Sequence, residues 1–86
     1  MNIDKELFKL FQENKDQYDL YKKTLEFVYK VLNVHIGKEN AKFYDLIRQL
    51  KNSINNAGWE IRHHDQIDFL NKISDDISEK YEEYLG

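Results

Sequence analysis

The chain has no cysteine and no proline, and only three glycines. Without cysteine there is no disulfide, no thiolate nucleophile and no Cys-based zinc site. Small secreted domains lean on such staples, so the composition points to the cytoplasm. Without proline, and with so little glycine, the tight turns of a Greek key or barrel are missing, which excludes an all-β fold. Serine and threonine are sparse, and none sits in a nucleophile-elbow context. The glycines do not make a phosphate-binding loop. No apolar run is long enough for a transmembrane helix or the core of a signal peptide.

What is present is one domain's worth of chain, residues 1–86. Hydrophobic residues make up 41% and charged residues 34%, a balance that fits a folded domain with one modest core and argues against disorder. The net charge is −3, the wrong sign for binding a phosphate backbone, so no nucleic-acid partner is expected. Charge is also uneven. Residues 1–64 carry +2 and residues 65–86 carry −5. Lysine outnumbers arginine 11 to 2, with frequent Asn, Ile and Tyr, a bias that speaks to origin rather than function.

Apolar spacing predicts helices throughout. Ile3, Leu7, Leu10 and Phe11 share one face, with Asp4 as the expected N-cap. The polar run Gln12–Gln17 marks a break, and Asn14 with Gln17 three residues on reads as a capping box for the next helix. Tyr18, Tyr21, Leu25, Val28 and Leu32 form the second stripe, widened by Phe27, Tyr29 and Val31 and closed by Gly37 at C′. The alternative is one unbroken helix over 4–35, which would give a three-helix variant. Asn40 caps the third helix, with Phe43, Ile47, Leu50 and Ile54 on its face and Tyr44 and Leu46 beside it. Asn55-Asn56-Ala57-Gly58 is a stop signal, and Trp59–His64 reads as a connector. Asp65, with Asp68 at N3, caps a last helix whose stripe is Ile67, Leu70, Ile73 and Ile77, continued by Tyr81 and Tyr84. The expected fold is all-α: an antiparallel up-and-down four-helix bundle with a short first helix.

Little here supports chemistry. His63 and His64 are adjacent and His35 is distant in sequence, so no three-ligand zinc set forms. Asp65/Asp68 and Glu79/Glu82 have the spacing of the paired carboxylates in helical NTP pyrophosphohydrolases. Both pairs fall on one predicted helix, whereas a shared Mg²⁺ needs two facing ones. A metal-dependent helical hydrolase is therefore the weakest reading, and no catalytic residue, metal or cofactor is expected. A connector with Trp59, Glu60, Arg62, His63 and His64 combines side chains that dominate interface energetics with two that titrate near neutrality. Together with Tyr81 and Tyr84, they are the candidate partner-binding residues. Acidic residues 65–85 suit a second reading, a small phage or mobile-element regulator that inhibits a host protein by occupying a basic cleft.

Leu46-Ile47-Arg48-Gln49-Leu50-Lys51-Asn52-Ser53-Ile54, then Ala57, then Ile61-Arg62, then a polar cap and a Leu70-centred helix, resembles the enterocin A/leucocin-type immunity proteins against pediocin-like (class IIa) bacteriocins. The second helix is similar too, from Lys15-Asp16 through Leu25, Val28 and Leu32, and the likeness spans about residues 15–78. The resemblance implies a small, non-enzymatic cytoplasmic four-helix bundle; separately, no membrane insertion is expected of this chain, and it is expected to be a monomer or weak dimer. It would protect the producing cell by contact with a bacteriocin-bound permease at its cytoplasmic side. It also implies that the C-terminal half, including the segment from Trp59 to His64, helps set which bacteriocin is resisted.

If Asp65 caps the last helix, Asp65→Ala should destabilise the protein by about 0.5–2 kcal/mol, because first-turn amides lose their acceptor. Chemical denaturation measures this, and no change would place the helix start elsewhere.

Overall fold

The computed structural model describes residues 2–35, 40–62 and 67–85; at 40, 41, 61, 62, 67, 84 and 85 the backbone alone is described. Its helices are α1 (Ile3–Glu13), α2 (Gln17–Asn33), α3 (Asn40–Arg62) and α4 (Ile67–Lys80), followed by a single turn, α5 (Glu82–Leu85). The protein is an all-α, antiparallel four-helix bundle with a short first helix. At 1.5 Å per residue, α3 is about 35 Å long, which matches the 35 Å long axis of the molecule.

The break between α1 and α2 falls within the polar run, but its capping chemistry differs from the sequence expectation. Asn2, not Asp4, caps α1, its side-chain oxygen accepting from the Lys5 amide at 3.0 Å. Asn14 closes α1 instead of opening α2. Its backbone N–H and its Nδ2 both donate to the Leu10 carbonyl, at 3.1 and 2.9 Å. Asp16 opens α2 by accepting from the Asp19 amide at 3.0 Å. Each true cap is a residue whose side chain lies just outside the first helical turn, where orphan amides point. Asp4 and Gln17 are already inside their helices. At the far end of α2, the His35 amide donates to Leu32 O at 2.9 Å and its ring Nδ1 donates to Val31 O at 3.0 Å. A carbonyl can only accept, so Nδ1 carries the proton. Gly37 and Asp65, expected as C′ and N-cap, lie outside the described residues.

The largest correction concerns α3. It does not stop at Asn55–Gly58 but runs on to Arg62, so Trp59–Arg62 is helix and not connector. A glycine inside a helix costs about 1 kcal/mol relative to alanine. Packing offsets that cost: Ile54, Ala57 and Gly58 are all buried, and Ser53 is 5% exposed. α1 makes its most extensive contact with α3. Small side chains at 53 and 57 allow the approach, and the Ser53 hydroxyl donates to Asp4 Oδ1 across it. Interaxial distance follows the size of the side chains at the contact.

The core draws on α1 to α4 and the residue just past α4: Leu7 and Phe11; Leu20, Val28, Val31 and Leu32; Phe43, Ile47, Leu50 and Ile54; and Phe69, Ile73, Ile77 and Tyr81. Of the expected core residues, Leu25 and Leu70 are half-buried at its edge, and Tyr18 is 66% exposed. On α4 and just past its end, the inward stripe is Phe69, Ile73, Ile77 and Tyr81; Ile73 and Ile77 fall as expected, and Phe69 takes the place of Leu70. Edge-to-face aromatic pairs mark both ends. Phe69 meets Phe11 at 5.7 Å and Tyr21 at 6.2 Å, while Tyr81 meets Tyr29 at 6.0 Å and Phe43 at 5.6 Å. These pairs show α2 and α4 running parallel, as an up-down-up-down order requires.

Two substitutions probe this packing. Leu50→Ala should cost about 2–5 kcal/mol through the cavity it leaves. Ala57→Leu should cost about 1–3 kcal/mol by pushing α1 off α3. Urea unfolding of both variants is the measurement; a neutral Ala57→Leu would mean the two helices are not in close contact.

Candidate functional site

The continuity of α3 changes where its polar residues go. Nine residues at roughly 100° each set Trp59 about 180° from Leu50, which is fully buried. Trp59 is 63% exposed, and Glu60 beside it is exposed too. The tryptophan therefore stands on the solvent side of the longest helix. Arg62 follows one turn later on the α3 backbone. His63 and His64 lie outside the described residues, as does the side chain of Tyr84.

Tyr81 does not belong to this group. The sequence reading placed it on a partner surface, but it is 1% exposed. Its ring packs between those of Tyr29 and Phe43, and its hydroxyl donates to Asn33 Oδ1 at 2.7 Å. The four-residue steps Phe69, Ile73, Ile77, Tyr81 keep it inward. Burial pushes its hydroxyl up to about 12, with a smaller push from Tyr29. Tyr29 is raised as well, by burial first and then by Glu79.

Sequence reasoning missed the rest of the outward stripe. Tyr44, Arg48, Asn52 and Asn55 are all exposed and lead by steps of three and four to Trp59 and position 62. The signal was available. This second series follows the core series Phe43, Ile47, Leu50, Ile54, Ala57 by one or two residues, which turns it roughly 100–200° around the same helix and away from the core. Arg48 is held along the helix by Asp45, at 3.6 Å, with both side chains mostly exposed. An exposed pair of this kind adds little stability. The stripe thus carries the only tryptophan and both arginines of a lysine-rich chain.

Two other surfaces stand out on the molecule. Between α2 and α4 a groove of about 400 Å³ is lined by Tyr18, Tyr21, Phe69 and Lys72, with Gln17 and Asp68 at its rim. The Lys72 ammonium lies 4.3 Å from the Tyr21 ring centre, so this lysine already rests on the groove's own wall. The acidic stretch over α4 and α5 exposes Asp75, Glu79, Glu82 and Glu83. Of the proposed carboxylate pairs, Asp65 lies outside the described residues. Among those described, no group of three or more His, Cys, Asp or Glu is placed to hold a metal ion. No helix among them is long and apolar enough to cross a membrane.

The buried phenol gives a pH prediction. The fold favours the neutral form, whereas an unfolded tyrosine ionises near pH 10. This contribution is complete below about pH 10 and is lost as the pH climbs toward 12. Wild type should lose stability more steeply than Tyr81→Phe across that window in denaturant titrations; equal slopes would mean the hydroxyl is not buried as described. No family model, no curated protein and no solved structure matches the chain.

Proposed function

We propose that the protein acts by protein–protein contact, as an immunity protein that protects a bacteriocin producer from its own pediocin-like peptide. The observation that carries this reading is the exposure of Trp59 on a helix whose packing has no use for it. Tryptophan and arginine are the residue types most enriched where interface energy concentrates. Here they share one stripe of α3, the helix on which the resemblance to immunity proteins also rests. The partner is a bacteriocin-bound membrane permease, met at its cytoplasmic face, and no catalytic step is involved.

A second reading has one observation in its favour. The exposed carboxylates of α4 and α5 suit a basic partner, as in an inhibitor of a host nucleic-acid-binding protein. Gene neighbourhood separates the two, since immunity calls for an adjacent gene encoding a short secreted peptide.

Expression in a sensitive strain, followed by challenge with a panel of pediocin-like peptides, tests the first reading. Wild type should protect against at least one peptide. Trp59→Ala should lose most of that protection while its unfolding free energy stays within about 0.5 kcal/mol, as expected of an exposed site. Full protection by the variant, or a loss that follows unfolding, would contradict the proposal.

A further inference from the structure

The outward stripe of α3 is ordered symmetrically about a point between residues 53 and 54. Tyr44 and the helical position of Arg62 mark its ends, with Arg48 and Trp59 inside them and Asn52 and Asn55 at the centre. On each side of the midpoint an aromatic residue and an arginine occur, in opposite order. Two copies laid parallel would set Arg48 on Arg48 and Trp59 on Trp59, placing like charges together. Two copies laid antiparallel, related by a two-fold axis through the midpoint, set Arg48 against Trp59 twice and Asn52 against Asn55 twice. Tyr44 then falls opposite position 62, displaced by one residue or about 1.5 Å.

We propose that this face is a self-association surface, and that its occupant is a second copy of this chain in a symmetric antiparallel α3–α3 pair. The side chains needed are available, since Arg48 is 72% and Trp59 63% exposed. Asp45 holds the Arg48 guanidinium by one edge, which leaves its flat face for an indole. Arginine stacked on tryptophan is the strongest common form of cation–π contact. Asparagine amides each offer a donor and an acceptor, so the central pair is self-complementary. An interface related by a two-fold axis must be self-complementary in this way. The stripe is about 27 Å long and one helix wide, smaller than the roughly 1,200–2,000 Å² of durable interfaces. The dimer therefore forms at high concentration and separates on dilution. Any partner that takes Trp59 competes with the second copy. The inference does not rest on the immunity reading, and a hydrodynamic measurement tests it without reference to protection.

Sedimentation equilibrium over a wide concentration series should show a reversible monomer–dimer equilibrium. Arg48→Ala and Trp59→Ala should each weaken it about tenfold or more, because each removes two symmetry-related contacts. The orientation is tested by crosslinking, which the absence of cysteine makes clean. In an oxidised equimolar mixture of Asn52→Cys and Asn55→Cys chains, the mixed disulfide should exceed the half expected from random encounter. A monomer throughout the series would overturn the proposal, as would association that neither substitution weakens. An excess of 52–52 and 55–55 disulfides would overturn the antiparallel arrangement.

Discussion

The close approach of α1 to α3 is the constraint on which the bundle depends. α1 is only 11 residues long and fully buries just Leu7 and Phe11. So short a helix is held by packing and not by its own propensity. It gets that packing where α3 is narrow, at Ser53 and Ala57, and the Ser53–Asp4 hydrogen bond fixes it there. For α1 to be supported along its length, α3 has to continue past the asparagines and glycine that would otherwise end it. Continuity in turn carries Trp59 to the solvent side. A packing need at one face of α3 thereby determines what the opposite face displays.

The other half of the bundle is fastened differently. α4 is held at two points by aromatic clusters centred on Phe69 and Tyr81, three turns apart. Outside them, Lys72 and Lys80 lie over the rings of Tyr21 and Tyr29, at 4.3 and 4.8 Å. The eight-residue spacing of both the lysines and the tyrosines follows from α2 and α4 running parallel. These lysines cover the half-buried rings with their stems and keep their charge in water. Tyr21, Tyr29 and Tyr81 are thus structural, whereas Tyr44 is exposed and so is Tyr18. Its exposure is shared with Lys22 one turn away, 5.3 Å from the ring centre.

The sequence made the helical class, the order of helices and the break after α1 legible, because steps of three and four among Leu, Ile, Val and Phe have no other economical reading. Caps were less legible. Asp4, Asn14 and Gln17 have the right chemistry, but Asn2, Asp16 and Asp19 have it too, and only the position of the first turn decides among them. The end of α3 was misread for a deeper reason. Asn55-Asn56-Ala57-Gly58 is a local stop signal, and it yields to a tertiary contact with α1, fifty residues earlier in the chain, that no local window contains. The same error placed Trp59 in a loop. The candidate residue was found; its surroundings, Tyr44, Arg48, Asn52 and Asn55, became visible only once the helix was seen to be unbroken. Tyr81 was grouped with the partner-binding residues although it continues the apolar repeat of the last helix by a further four residues, and that continuation is what buries it.

The proposed function requires Trp59 to be an exposed residue on the outward face of α3, in its last turn. Because this is the chain's single tryptophan, its fluorescence reports on that position alone. Acrylamide quenching of the folded protein at low concentration is the most direct measurement. The account predicts quenching close to that of the unfolded chain, with an emission maximum that shifts little on unfolding. A shielded tryptophan, with blue-shifted emission and quenching that rises sharply on unfolding, would contradict it and return Trp59 to the core.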